Sequence, residues 1–393
     1  MIFLQFCLIA IGLLLLVPVL LIFTQTIAAI FITTRRLTDG KRQSVAVIVP
    51  AHNEEAGIVA TLSHLIPQLL PGDRIVVVAD NCNDQTASVA RQAGVEVIER
   101  HNTQKRGKGY ALDFAIQYLS SEPPSVVVIV DADCKSDAIL LSRLSMVCDY
   151  YQRPVQALYL MHAHQDSGLK VKVAAFAWLF KNKVRALGCA NLGLPCQLMG
   201  TGMAFPWSSL CKVNVASGEI VEDLKLGLDL ALLNTPPLFC GDVAVESMFP
   251  ESIAGLNVQR TRWEHGHLAM VIKTAPGLMI EALKSRNFKL FTMVLDMVVP
   301  PLALLAMMIF SYLLVALGWF FITASTFPLV LSVSLLFFFG IAIFAAWLTF
   351  GREVISLLGL LYVPFYVLRK IPLYLKFMVN RQVEWVRSNR DKP

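Results

Sequence analysis

SVAVIVPAHNEE, residues 44–55, is the stretch on which the reading of the fold turns. Its first seven residues are almost all aliphatic, as expected of a strand buried on both faces. The chain then changes to helical spacing through EEAGIVATLSHLIPQL. The same alternation follows twice more, RIVVVAD then DQTASVARQAG and VEVIER then GYALDFAIQYL, and a further strand, SVVVIVDAD, comes after them. Val- and Ile-rich strands alternating with helices predict an α/β unit, Rossmann-like, with a mostly parallel sheet covered on both sides. In such sheets ligands sit beyond the carboxyl ends of the strands. The polar clusters His52–Glu55, Asp80–Asp84 and Asp131–Asp133 all fall at such ends.

Composition adds a second part. Of the 393 residues 56% are hydrophobic and 16% charged, too apolar for an ordinary soluble enzyme and too charged in the middle for a bundle of membrane helices. The expected organisation is a transmembrane helix over 1–34, a cytosolic unit over 44–290, a transmembrane hairpin over 297–350, and an interfacial amphipathic segment with a cytosolic tail over 351–393. A span needs about 20 apolar residues. Residues 2–32, 298–322 and 329–350 meet that length, the first interrupted by Pro18, and Pro300-Pro301 predicts a kink in the second. Residues 2–32 also lack the basic start of a secretory signal and read as a retained anchor. Residues 354–368 are too short to span and read as interfacial or re-entrant. Residues 371–390 mix aromatic and basic side chains, as does a helix on a membrane surface; a plain cytosolic helix is the alternative.

The net charge of +6 gathers beside these segments, at Arg35, Arg36, Lys41 and Arg42 and at Arg369, Lys370, Lys376, Arg381, Arg387 and Arg390. The uncharged link 323–328 is then expected outside, the middle of the chain inside and the N-terminus outside. This distribution is not that of a nucleic-acid groove. Eight cysteines without a CxxC pair read as free thiols in a reducing compartment.

Asp131-Ala132-Asp133 closes an aliphatic run, and alternate residues of an extended chain point the same way, so both carboxylates can face one Mg²⁺ or Mn²⁺. An acidic turn at a strand end is the plainer alternative. Asp80 ends the second strand, where a base or ribose would lie, and His52, Asn53 and Glu54 end the first. Asp84 reads as a cap for the following helix. Arg106-Gly107-Lys108-Gly109 precedes a helix and offers a cation and a helix N-terminus to phosphate, or is only a basic turn. Glu222 and Asp223 head a helical stretch; one of them as a general base competes with a simple dipole role. Gln259-Arg260-Thr261-Arg262-Trp263 offers guanidinium groups for a diphosphate and an indole face for a sugar ring, or else an interfacial anchor. The pairs His162/His164 and His265/His267 lack a third ligand and read as polar surface or satisfied buried groups.

In this order and spacing the motifs VDAD, VED and QRTRW resemble the membrane-bound inverting family 2 glycosyltransferases, the broad group of cellulose, chitin and hyaluronan synthases and bacterial exopolysaccharide enzymes. The resemblance covers about residues 44–269 and the flanking spans. It implies a GT-A fold, a UDP-sugar donor and a multi-pass protein of the bacterial inner membrane with its catalytic part in the cytosol. By position, Pro50, His52 and Glu54 would line the uridine site with Asp80, and Lys108 would approach the nucleotide or its diphosphate. Asp131 would hold the nucleotide and Asp133 the metal, Mg²⁺ or Mn²⁺. Gly200-Thr201-Gly202 would form the turn below the acceptor, Asp223 would be the base, and Gln259, Arg262 and Trp263 would bind the diphosphate and the acceptor-end sugar. Two departures stand out: Ala79-Asp80 where many members carry two acids, and Val221 where synthases usually carry Thr.

The implied reaction is one in-line displacement at the anomeric carbon with inversion. The acceptor is expected to be a saccharide or lipid-linked saccharide in cell-surface polysaccharide synthesis. A transferase acting on a polyprenyl phosphate is the rival reading, and QRTRW favours the first. Three spans are few to enclose a channel, so a separate export partner or self-association is expected, with membrane lipids as neighbours. A catalytically silent assembly subunit and a transporter are the other classes. The retained acids argue against the first, and the scarcity of ionisable groups within the spans against the second.

Overall fold

The computed structural model of the chain describes residues 1–32, 37–250, 253–368, 371, 373 and 374. Eight strands are present: Val45–Ala51 (β1), Arg74–Asp80 (β2), Glu96–Arg100 (β3), Val126–Ile129 (β4), Lys135–Ser136 (β5), Val155–His162 (β6), Met203–Pro206 (β7) and Leu238–Met248 (β8). They form one sheet in the order β3-β2-β1-β4-β7-β6-β8-β5. β3, β2, β1 and β4 run parallel, with Val47 opposite Ile75 on one side and Val128 on the other. β7 is antiparallel to both β4 and β6, β6 and β8 are parallel, and β5 pairs antiparallel with β8. The first half is therefore the alternating unit read from the sequence, and the reversal comes at β7.

The helices are Ile2–Phe31 (α1), Ile58–Leu65 (α2), Thr86–Gln92 (α3), Lys108–Leu119 (α4), Leu140–Tyr151 (α5), Leu169–Leu179 (α6), Ala186–Asn191 (α7), Trp207–Leu210 (α8) and Glu222–Leu232 (α9). They continue with Ile253–Lys273 (α10), Ala275–Lys284 (α11), Phe288–Met297 (α12), Leu302–Thr323 (α13), Phe327–Ala346 (α14), Leu357–Leu361 (α15) and Val363–Leu368 (α16). A π-helical segment, Phe180–Arg185, joins α6 to α7, and another, Trp347–Gly351, extends α14.

Both faces of β1 are buried, which is why its sequence is a continuous apolar run instead of an alternation. Val45, Val47 and Val49 pack with Ile58, Leu62 and Leu65 of α2 and Leu140 and Leu144 of α5. Ala46 and Ile48 face the other way, toward Ala111, Leu112 and Ala115 of α4 and Leu226 and Leu230 of α9.

Among the described residues three helices are long and apolar enough to cross a membrane: Ile2–Phe31, Leu302–Thr323 and Phe327–Gly351. Val19, Ile22, Leu305, Ile309, Leu335 and Ala342 form their shared core, and Phe180 and Val184 of the π-helical segment insert into it. At Gly188 a Cβ would stand 2.0 Å from the Gln25 carbonyl oxygen, so only glycine lets α7 touch the backbone of α1 there. A polar clamp secures the same junction. Arg185 Nη2 lies 2.6 Å from Asp296 Oδ1, Gln25 Nε2 donates to the same oxygen at 2.7 Å, and Arg185 Nε donates to Gln25 Oε1 at 3.0 Å.

Several expectations need correction. Pro18 does not interrupt α1, which is helical on both sides of it; neighbouring helices in an apolar setting tolerate such a residue. Pro300-Pro301 kinks nothing, because Pro301 is the N-cap of α13 and stands where its missing N–H has no role in the helix. The strand before VDAD stops at Ile129. Asp131 and Asp133 lie in a turn closed by the Cys134 N–H on the Asp131 carbonyl at 3.2 Å, and the alternation of an extended chain does not apply to them. All eight cysteines are free. Arg35, Arg36, Arg369, Lys370 and most of the expected surface helix over 371–390 lie outside the described residues.

Removing one member of the buried clamp strands the other. Asp296→Ala is expected to cost about 3–5 kcal/mol, because Arg185 keeps a buried charge without its carboxylate. Glu99→Ala, at the exposed Arg91–Glu99 pair, is expected to cost under about 1 kcal/mol. Thermal unfolding of the two variants in the same detergent compares them, and equal shifts would show that the clamp is not buried charge.

Candidate active site

The carboxyl ends of β1 and β2 are tied to each other. His52 Nδ1 donates to the Asp80 carbonyl at 2.6 Å, Asn53 Oδ1 accepts the Asn83 N–H at 2.7 Å, and the Glu54 N–H donates to Thr86 Oγ1 at 2.8 Å. Asn53 and Asn81 both take positive φ, 56° and 52°, a region that Asn visits at lower cost than most residues. Asp84 is not the expected cap: the N-cap of α3 is Gln85, and Asp84, one residue before it, accepts the Thr86 N–H on Oδ1 at 3.0 Å. Arg100 Nη1 reaches Asp80 Oδ1 at 2.6 Å, so that carboxylate is held from the next strand.

These ends border a cavity of about 560 Å³, the size of a small-ligand site. Pro50, His52, Glu54, Asp80, Lys108, Asp131, Asp133 and Arg262 all line it. Asn81, Asn83, His101, Thr103 and Arg106 line it too. Of these Arg106 lay in a motif already singled out, whereas His101 and Thr103 sit in a loop with no pattern to mark them.

Lys108, the first residue of α4, links the two sides of this region. Its Nζ lies 2.5 Å from Asp131 Oδ1 and 3.8 Å from Glu222 Oε1, and it donates to the Gly200 carbonyl at 2.7 Å. Burial favours loss of its proton, but the Asp131, Glu222 and Asp223 carboxylates outweigh it and raise the pKa. The 200–202 turn has φ of 95° at Gly200 and 64° at Gly202. Between them Thr201 is fully buried, and its Oγ1 accepts the Asp131 N–H at 3.0 Å. A Cβ on Gly200 would stand 3.4 Å from Asp223 Oδ2 and 3.8 Å from Lys108 Nζ. The turn therefore lies between the VDAD turn and the start of α9.

Glu222 and Asp223 do not line the main cavity. They border a small one beside it with Lys225 and Asp229. Burial raises the Glu222 carboxyl to about 7; Lys108 opposes the rise and Asp223 adds to it. Of this pair, Glu222 is thus the carboxyl that burial raises.

Gln259, Arg262 and Trp263 share α10. Only Arg262 reaches the cavity wall. Gln259 is buried, and its Oε1 has no hydrogen-bond partner among the described residues. Trp263 packs against Trp178 with ring centres 4.6 Å apart and planes tilted by 34°, and Trp178 meets Tyr159 edge-on at 5.4 Å. Trp178, on α6, was missed: it precedes its partner by 85 positions, and no local pattern joins them. The histidine pairs are ordinary polar groups. His162 Nε2 lies 3.4 Å from Glu246, and His267 Nε2 donates to the Met297 carbonyl at 2.8 Å, burial holding its pKa down at about 4.

Residues 46–149 match the family model described as glycosyl transferase family 2. This segment belongs to that family. Over 244 residues the chain is 32% identical to the probable glycosyltransferase YdaM of Bacillus subtilis (strain 168), a match covering 58% of this chain and 56% of that protein. Over 98 residues it is 32% identical to the dolichyl-phosphate hexose transferase of Haloferax volcanii, covering 25% of this chain and 39% of that one. The match thus spans about half the length of one curated relative and less of the other. The mannosyltransferase PcManGT from Pyrobaculum calidifontis, solved in complex with GDP-Man and Mn²⁺, superposes with a TM-score of 0.52 at 18% identity, over 94% of this chain and 95% of that one. That likeness gives the fold, a GT-A sheet with membrane helices.

The elevated Glu222 carboxyl has a consequence for stability. Its folded value exceeds the ordinary 4.5, so the unfolded chain loses this proton first as pH rises. Its contribution is present below pH 4.5 and is lost as pH rises through about 7. The stability of the unmodified protein relative to Glu222→Gln is therefore expected to fall by up to about 3 kcal/mol across that window. Unfolding curves at a series of pH values measure it, and a constant difference would contradict the assignment.

Proposed function

We propose that the chain is an inverting glycosyltransferase that moves a sugar from a UDP-sugar to a saccharide or lipid-linked saccharide acceptor at the cytosolic face of a bacterial inner membrane. The observation that carries this reading is one cavity walled by Asp131, Asp133, Lys108 and Arg262, with Glu222 and Asp223 just behind the Gly200 turn. Carboxylates, an ammonium and a guanidinium at the ends of parallel strands suit a nucleoside diphosphate.

The donor set was tested for a metal. Among the described residues no three His, Cys, Asp or Glu side chains group closely enough to hold an ion by themselves. Asp131 and Asp133 supply hard oxygens on one wall, which fits Mg²⁺ or Mn²⁺ taking its other ligands from the diphosphate and water. Asp133 would be the principal protein ligand, since Asp131 also serves Lys108. When bound, such an ion supplies positive charge beside the departing diphosphate.

Pro50, His52, Glu54 and Asp80 would receive the uridine. Lys108 and Arg262 would balance charge on the diphosphate. The acceptor hydroxyl oxygen attacks the anomeric carbon, the bond from that carbon to the UDP oxygen breaks, and the hydroxyl proton passes to Asp223. Glu222 acts beside it, and its protonation would set how much negative charge surrounds the base. The Gly200-Thr201-Gly202 turn would lie beneath the acceptor, with Gln259 and Trp263 toward its far end. Inversion follows from a single displacement.

A second acceptor class, a polyprenyl phosphate converted to a lipid-linked monosaccharide, draws support from the Haloferax volcanii relative's description as a dolichyl-phosphate hexose transferase. Three candidate spans support membrane attachment under either reading. Export of a polymer through so few helices would call for a partner or self-association.

Asp223→Asn is expected to lower sugar transfer at least about 100-fold while UDP binding persists; the readout is radiolabel transfer from a panel of UDP-sugars in membranes. Normal transfer by this variant would remove Asp223 as the base. Asp133→Asn and EDTA are each expected to weaken UDP binding measured calorimetrically with Mn²⁺, and binding indifferent to both would remove the metal.

A further inference from the structure

The acceptor side of this region holds a cation that the mechanism above does not use. α6 passes into the π-helical segment Phe180–Arg185, a rare geometry that concentrates at functional sites. Phe180 and Val184 are buried among apolar residues of the spans. Lys181 leaves that core: its Nζ stands 5.7 Å from the centre of the Trp178 ring, and Trp178 packs at a tilt against Trp263. Among the described residues the Lys181 ammonium makes no hydrogen bond and no ion pair. Its side chain reaches open space, yet surrounding protein strips enough water from the ammonium to lower its pKa, with Asp223 opposing.

Other groups along the same contacts also lack partners. Gln259, one helical turn before Trp263, has a buried Oε1 with none, and so do Trp178 Nε1 and Asn182 Oδ1. Asn182 is joined to this group through its Nδ2, which donates to the Tyr159 carbonyl at 3.2 Å. Buried polar atoms are rarely left this way unless water or a ligand completes them. A neutral sugar would satisfy the amide and indole but leave the ammonium without a counter-charge. Phosphate supplies that counter-charge, and its oxygens accept from the ammonium and the Trp178 indole N–H alike, while the Gln259 and Asn182 amide oxygens, being acceptors, are left to a water or hydroxyl donor.

The surroundings give the source of that phosphate. The neighbouring Lys183 Nζ stands 5.5 Å from the centre of the Phe350 ring, at the end of the third candidate span. Arg185 is clamped to Asp296 and to Gln25 of the first. The cation thus sits where apolar helices meet the catalytic unit.

We propose that Lys181, seated on Trp178, is the subsite for the phosphate of a membrane-lipid acceptor. It rests on the glycosyl-transfer reading above and names the acceptor's class within it. The phosphate lies against Lys181 with the apolar chain toward the spans, and the acceptor's reacting oxygen is directed to the Asp223 side.

Binding separates this subsite from catalysis. The full chain in lipid nanodiscs, as wild type, K181Q and K181R, is titrated by tryptophan fluorescence with a short-chain isoprenyl monophosphate, the matching isoprenol and inorganic phosphate. Wild type is expected to prefer the isoprenyl phosphate to the alcohol by about tenfold or more, K181Q to lose that preference, and K181R to keep most of it. UDP binding with Mn²⁺ should be equal in all three, which checks the fold. The proposal is overturned if wild type shows no preference, if K181Q keeps it, or if K181Q weakens phosphate and alcohol alike. Inorganic phosphate competing as well as the isoprenyl phosphate would mark a site for free anions and overturn the lipid assignment. A Lys181-dependent preference in a protein that binds no UDP would sustain the subsite and fail the donor reading.

Discussion

One buried ammonium ties the site together. Lys108 touches Asp131 on the cavity wall and the Gly200 carbonyl in the 200–202 turn, and it lies 3.8 Å from Glu222 at the head of α9. Carboxylates this close to one another repel, and in a half-buried setting that repulsion is weakly screened. The ammonium offsets it. Its position depends on Gly107, whose φ of 127° lets the chain turn into α4, and on Gly109, where a Cβ would strike the Ser217 carbonyl oxygen at 2.6 Å. The RGKG string is therefore more than a basic turn: its glycines seat the lysine between three elements that meet only in the folded chain.

A second junction sets where that cavity sits relative to the candidate membrane helices. α1, the π-helical segment, α7 and α12 meet through Gln25, Arg185, Gly188 and Asp296. Close backbone approach and a shared buried charge make this a rigid contact, since neither partner of the pair can leave without stranding the other. The aromatic pair Trp178 and Trp263 lies on the catalytic side of the same segment. The Trp178–Trp263 pair and the candidate membrane helices thus belong to one packed unit.

The correction at VDAD shows how local pattern and local geometry part. The aliphatic run marked the position of the acids correctly, because a buried strand must end where its ligand-facing loop begins. It did not predict that the strand stops at Ile129, leaving Asp131 and Asp133 in a turn. Their orientation comes from Thr201, 70 positions away, whose hydroxyl takes the Asp131 N–H. The prolines gave a similar lesson: position was legible, but whether each kinks, caps or is absorbed depends on what packs around it.

From residue types and period alone followed the parallel half of the sheet, both of its covered faces, the three apolar spans and the strand-end groups His52, Glu54, Asp80, Asp131 and Asp133 that wall the cavity. Each of these rests on hydrophobic period or strand-end placement, which are properties of neighbours in the chain. Only the tertiary structure decided that β7 reverses the sheet, that Glu222 is the carboxyl raised by burial, that Arg100 holds Asp80, and that Lys181 and Trp178 stand beside Trp263. Those outcomes depend on burial and on contacts between distant segments, and no local pattern encodes the distance between them.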